Sequence, residues 1–142
     1  MIDQTTNLAY TKNMKKTVAK VLVENKAGLY LLLQRGDTHP NFPGHPDLPD
    51  GEVESGETIK EAAARELLEE IGISIVPDKL KEVFTKERAK VKHVLFLLSI
   101  DSSNTEVKLS WEHKSYKWLT RDEIVSIKAP NDADPYYLDF LE

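Results

Sequence analysis

Residues 58–71, TIKEAAARELLEEI, constrain the fold more than any other stretch, because both ends of one helix are written into them. Thr58 with Glu61 three positions on is the pattern of a capping box, in which each side chain bonds the other's backbone N–H. Gly72 suits the position just past a helix end, where the backbone turns left-handed. Between these limits Ala63, Ala64, Leu67, Leu68 and Ile71 fall on one stripe at about 100° per residue, and this stripe is expected to face a core. Glu66, Glu69 and Glu70 then project from the opposite side, within an arc of roughly 100°. Three carboxylates so placed repel one another. An oxygen-rich anionic cluster is also what a hard divalent cation such as Mg²⁺ requires. The plainer account of such a row is a solvated acidic face. The surroundings favour a site: Asp47-Leu48-Pro49-Asp50-Gly51 runs straight into the helix through Glu54 and Glu57. A loop glycine lets backbone carbonyls approach an ion closely. Arg65, four residues before Glu69, is placed to orient it.

The rest of the 142-residue chain supplies a sheet for this helix to cover. Thr17–Glu24 and Leu29–Arg35 read as a hairpin around the turn at residues 25–28. Gly36–Pro49 reads as a loop. Ile73–Val76, Leu80–Lys86 and Val91–Ile100 read as strands, the last long and apolar enough to lie centrally. Glu106–Leu109 and Tyr116–Leu119 are shorter strand candidates. Thr120 with Glu123 repeats the capping-box pattern and opens a short helix to about Ile127. Pro135–Leu141 is a candidate final helix. Strands and helices mix without regular alternation, which points to α+β with a mixed β-sheet. The length fits one domain over residues 1–142, with the polar residues 1–15 loosely held.

Composition closes off several classes of function. With no cysteine, disulfides, zinc–thiolate sites and cysteine nucleophiles are excluded. A net charge of −5 argues against a large nucleic-acid groove. It leaves room for a local pocket for a small phosphorylated ligand. No apolar run approaches membrane-spanning length, and the N-terminal residues lack a signal-peptide core, so a cytoplasmic protein is expected. His39, His45, His93 and His113 show no metal-ligand spacing and read as surface or satisfied-core residues.

Residues 51–73, GEVESGETIKEAAARELLEEIGI, match the Nudix box G-x5-E-x7-R-E-U-x-E-E-x-G-U at every defined position, with U a bulky aliphatic residue. The matching residues are Gly51, Glu57, Arg65, Glu66, Leu67, Glu69, Glu70, Gly72 and Ile73. At usages of roughly 5–7% per fixed residue type, chance gives such a match less often than about once in a million. The chain thus resembles the Nudix hydrolases, MutT-like members in particular. The resemblance implies an α/β/α sandwich in which the box forms loop, helix and loop. It implies that Glu66, Glu69 and Glu70 hold Mg²⁺ (or Mn²⁺) with the carbonyl of Gly51, and that Glu57 and Arg65 support the box. The implied reaction is cleavage of a diphosphate linkage in a small nucleotide substrate, a nucleoside triphosphate going to monophosphate and pyrophosphate.

Glu112 lies six residues before Trp118, where MutT-like enzymes place a further glutamate. It is a metal ligand or the general base by resemblance, and an exposed strand-edge residue by pattern alone. Arg35 matches a phosphate-binding arginine of those enzymes, and equally an arginine that snorkels at the surface. Pro130-Asn131 matches a base-reading loop of those enzymes, while residue preference alone favours a plain turn. In one departure Asp50 replaces the first glycine of a common Gly-Gly pair, altering the loop or adding a carboxylate near the metal. Competing accounts are a Nudix-fold nucleotide sensor without catalysis, against which the full glutamate set stands, and an RNA 5'-end pyrophosphohydrolase, against which the acidic balance stands. An isopentenyl-diphosphate isomerase would need the cysteine this chain lacks.

Overall fold

The computed structural model describes residues 16–127 and 140–141. The hairpin appears as β1 (Lys16–Asn25) and β2 (Tyr30–Arg35). They are followed by two short strands, β3 (Pro46–Asp47) and β4 (Asp50–Glu52). Helix α1 (Ile59–Ile71) comes next, then a 3₁₀ turn at Pro77–Lys79. Strands β5 (Lys81–Arg88), β6 (Val91–Ile100) and β7 (His113–Leu119) lead to helix α2 (Arg121–Ser126).

The described strands form one mixed sheet in the order β3-β2-β1-β6-β5, with β4 added to β1 and β7 to β2. The one parallel pairing joins β1 to β6, from Lys16↔Val91 to Asn25↔Ile100. Strand β6 therefore lies inside the sheet, between β1 and β5, as its apolar length requires. Alternation along β1 sorts the core into two layers. Ala19, Val21 and Val23 join Val94, Phe96 and Leu98 beneath Ala62, Ala63, Leu67 and Ile71 of α1. Leu22, Leu32 and Leu95 face the other way, toward Leu48, Leu119, Ile124 of α2 and Leu141. Helical cover on both faces of a mixed sheet is the expected α/β/α layering.

Strands β1 and β2 pair at a single register position, Glu24↔Tyr30, next to the turn. Beyond it they diverge like a fork. The β2 prong pairs with β3 (Leu33↔Asp47) and with β7 (Tyr30↔Leu119 to Leu33↔Tyr116). The β1 prong pairs with β4 (Ala19↔Gly51, Lys20↔Asp50). Residues 46–52 thus fill the fork, stitched to both sides by Arg35 N–H to the His45 carbonyl (2.9 Å) and Val21 N–H to the Pro49 carbonyl (3.0 Å).

Several expectations are corrected. The loop assigned to Gly36–Pro49 contains β3, and its end leads into β4. Ile73–Val76 and Glu106–Leu109 are not strands. The second stretch instead caps α1: Lys108 N–H bonds the Ile71 carbonyl (2.9 Å) and Ser110 N–H the Glu70 carbonyl (3.0 Å), satisfying acceptors that a helix end leaves open. On α1, Leu68 is 54% exposed and Ala62 takes a buried place. Phe140 and Leu141 are helical, whereas residues 135–139 of the final-helix assignment, residues 1–15 and Pro130-Asn131 lie outside the described residues.

Candidate active site

Both ends of α1 form as the sequence dictates. Thr58 Oγ1 accepts from Glu61 N–H (3.1 Å), and Glu61 Oε1 accepts from Thr58 N–H (2.8 Å). Gly72 closes the helix at φ 73°, its N–H on the Leu68 carbonyl. The helix is rotated from the expected pose, and this rotation builds the site. Glu70 is 1% exposed. Rather than pointing to solvent, its Oε2 accepts the backbone N–H of Asp50 at 2.8 Å. Glu66 reaches the next residue of β4: a Cβ added to Gly51 would stand inside van der Waals contact of the Glu66 carboxyl carbon and Oε1, and 2.5 Å from its Cγ. The glycine is required so that this carboxylate can occupy the space a side chain would take. Glu69 stays on the rim, its side chain 58% exposed.

Arg65 ties loop to helix. Its Nη2 and Nε donate to the two oxygens of Glu57 (2.7 and 3.2 Å), Nη1 to Glu66 (2.5 Å) and Nη2 to the Glu52 carbonyl (3.0 Å). Glu69 is a looser partner at 3.6 Å, so Arg65 orients Glu66 more than the residue expected from spacing. Glu57 in turn accepts the N–H of Glu54 (2.8 Å). The guanidinium holds the Glu57 carboxyl below its ordinary range.

Burial acts the other way on the two inner glutamates. It raises the Glu66 carboxyl, against the pull of Arg65. Glu70 is pushed up to about 10, first by burial and then by the charges of Asp50, Glu66 and Asp47. A carboxyl so placed favours any added positive charge. Among the described residues no three histidine, aspartate or glutamate side chains converge as a ready-made cation cage. The donor set nevertheless fits a hard divalent ion: it is all oxygen, it is short of positive charge, and the missing Cβ of Gly51 leaves a carboxylate and a backbone in close apposition.

Across the fork, Asp47 is 3% exposed. Its Oδ1 meets Lys20 Nζ (3.2 Å), and its Oδ2 meets Arg35 Nε (3.0 Å) and His113 Nε2 (3.2 Å). These partners, Lys20 foremost, hold the Asp47 carboxyl well below the usual range despite burial. Lys20 also pairs with Asp50 at 2.6 Å, which places that residue's carboxylate on the β1 side of the fork. Arg35 Nη1 donates to the Asn41 carbonyl (2.6 Å), and among the described residues Nη2 is left for another acceptor. Arg35 is thus an anchored cation with a 15% exposed side chain, not a snorkelling one. Glu112 sits by the same prong. Its carbonyl accepts Gly36 N–H (2.8 Å) and its carboxylate faces His39 Nε2 at 3.8 Å.

Of the residues singled out from sequence, the fold brings Glu66 against Gly51 and Glu70 onto the N–H of the neighbouring Asp50, leaves Glu69 exposed, and sets Arg35 and Glu112 on the β2–β7 side. Asp47, Lys20, His39 and His113 were missed as participants. One signal was available: a lysine midway along the apolar run of β1 needs a buried partner. His45 and His113 are buried, and the Nδ1 of each has no partner among the described residues.

The chain is similar to known proteins over most of its length. The NUDIX domain model matches residues 14–140. The nucleoside triphosphatase NudI of Escherichia coli is 31% identical, over 78% of this chain and 86% of that protein. Among solved structures, a MutT protein from Methanosarcina mazei superposes with a TM-score of 0.71 at 30% identity, covering 92% of each chain. A Caenorhabditis elegans Ap4A hydrolase gives 0.61 at 28% identity, over 89% of this chain and 92% of that one. With the family model spanning nearly the whole chain and a complete box folded around Gly51, the chain belongs to the Nudix family and is a hydrolase acting on acid anhydrides.

Proposed function

We propose that this domain hydrolyses a nucleoside triphosphate to the monophosphate and pyrophosphate, with Mg²⁺ or Mn²⁺, in the cleft between the fork and α1. The observation that carries the reading is the packing of the Glu66 and Glu70 carboxylates against the Gly51–Asp50 backbone. Glu66, Glu69, Glu70 and the Gly51 carbonyl would hold the ion. When bound, it neutralises phosphate oxygens and templates the diphosphate for attack. Arg35 offers Nη2 to a substrate phosphate while Asp47 and Asn41 fix the rest of its guanidinium. Glu112 accepts the proton of the attacking water as the new P–O bond forms and the bridging P–O bond breaks; a positioned base of this kind contributes about 10²–10⁴-fold.

The triphosphate class rests on two supports. One is the likeness to a nucleoside triphosphatase. The other is the stretch Arg88-Ala89-Lys90-Val91, which holds neither the proline nor the tyrosine that mark ADP-ribose and dinucleoside polyphosphate hydrolases. A product-release screen of nucleoside triphosphates, nucleotide sugars, ADP-ribose and dinucleoside polyphosphates, with Mg²⁺, Mn²⁺ or chelator, tests the proposal. The expected result is cation-dependent turnover with the highest kcat/KM on a triphosphate. A kcat/KM for ADP-ribose or a dinucleoside polyphosphate well above every triphosphate overturns the substrate class. Binding without turnover on any compound points to a sensor.

A further inference from the structure

We propose that Asp47 is a positioning residue for substrate binding: seated in the fork between β1 and β2, it aims the Arg35 guanidinium at a phosphate. The inference rests on the reading of the cleft as a diphosphate site. Strand β1 barely touches β2 at this level, while β2 is paired with β7 at Arg35↔His113, yet all three send a cationic or imidazole group to the same buried carboxylate: Lys20 from β1, Arg35 from β2 and His113 from β7. The β1–β2 ladder has one paired position, at the far end of the fork, so backbone pairing between these two strands does not fix the width of the mouth. Asp47 spans that gap, since its backbone pairs with Leu33 of β2 while its Oδ1 reaches Lys20 of β1. A buried charge with this many satisfied contacts holds its partners in a single arrangement.

The contact on Arg35 fixes direction as well as place. Asp47 takes Nε at 3.0 Å and the Asn41 carbonyl takes Nη1 at 2.6 Å. With the covalent Cδ attachment as a third fixed point, these two contacts set the plane of the guanidinium, so Nη2 is presented at a set angle. A lysine could carry the charge but could not be held in a plane. Asp47 reaches further through Lys20, which bridges to Asp50, whose N–H holds Glu70. The carboxylate thus stands between the phosphate-binding side of the cleft and the glutamate side.

The test is calorimetric binding of inorganic pyrophosphate with Mg²⁺ to four proteins: the parent, Asp47→Asn, Arg35→Met and the double variant. The parent is expected to bind. Asp47→Asn is expected to weaken binding about ten-fold, the scale of one charge-assisted hydrogen bond. In the Arg35→Met background the same change should cost less than about two-fold, because its effect runs through Arg35. An equal loss in both backgrounds means a general structural role and overturns the proposal. Tighter binding by Asp47→Asn means that Asp47 merely offsets cationic charge, and also overturns it. Should Asp47→Asn fail to fold, Arg35→Lys takes its place: the charge remains but the Nε contact is gone, and unchanged pyrophosphate affinity refutes the aiming role. A parent that binds no pyrophosphate removes the diphosphate reading and this inference together. A parent that binds beside an indifferent Asp47→Asn removes the inference alone.

Discussion

Replacing Gly51 with alanine isolates the carboxylate contact on which the candidate site rests. The added Cβ would lie 2.5 Å from Glu66 Cγ and closer still to its carboxyl group. Carbon atoms settle at roughly 3.5–4.0 Å, so the Glu66 side chain must retreat by about 1 Å or more. A misplacement of about 1 Å in a reacting constellation can cost about 10²-fold in rate. The fold has little reason to object. Gly51 is not among the positive-φ residues, and what the methyl group displaces is the end of a flexible side chain. Restricting the unfolded chain returns about 0.4–1 kcal/mol. Turnover of the best triphosphate should therefore fall about 100-fold while the thermal midpoint stays within a few degrees. Parallel measurement of kcat and of unfolding by calorimetry checks both halves. A variant retaining a third or more of parental turnover would refute the claim that Glu66 acts from this position, and a large drop in midpoint would refute the local nature of the clash.

Glu70→Gln should lower turnover at least about 10² if cation activation is lost. In chelator it should also flatten the pH dependence of stability. The folded carboxyl lies at about 10 against an ordinary 4.5, so the folded state holds the extra proton, and stability falls as pH rises between those values. Urea midpoints from pH 5 to 9 that slope equally in parent and variant would contradict this. Glu112→Gln should reduce kcat more than it changes KM, as expected of a group acting on the transition state, and an unaltered kcat returns it to the surface. Thr58→Ala removes the bond to Glu61 N–H and should cost about 1 kcal/mol of stability with kcat preserved, read from urea unfolding and steady-state rates.

What could be read in advance was local chemistry. The α1 boundaries, both capping boxes and the long central strand depend on neighbours in sequence and formed as expected. The face of α1 did not, because period alone cannot say which residues the sheet will meet. A stripe containing Leu68 is more hydrophobic, yet the core takes small Ala62 instead, and Glu66 and Glu70 turn toward β4. Strands β3 and β4 escaped notice because they are two and three residues long and held by partners remote in sequence. The Asp47 cluster was hidden for the same reason. Asp47 and His113 stand 66 positions apart, and nothing in either neighbourhood marks them as a pair.

The fork between β1 and β2 also has the layout of a pair of shears, braced by residues 46–52 between its blades. Its pivot is stiff: Asn25 is 8% exposed and its Oδ1 accepts both Ala27 N–H and Leu29 N–H at 3.0 Å. Its blades are rigid, one backed by β6 along ten paired residues and the other by β7. A small change of angle at the pivot is therefore magnified with distance along the blades and felt more at Lys20 and Arg35 than beside the turn. Substitutions in the turn at residues 25–29, remote from every carboxylate of the cleft, would alter its width through leverage alone.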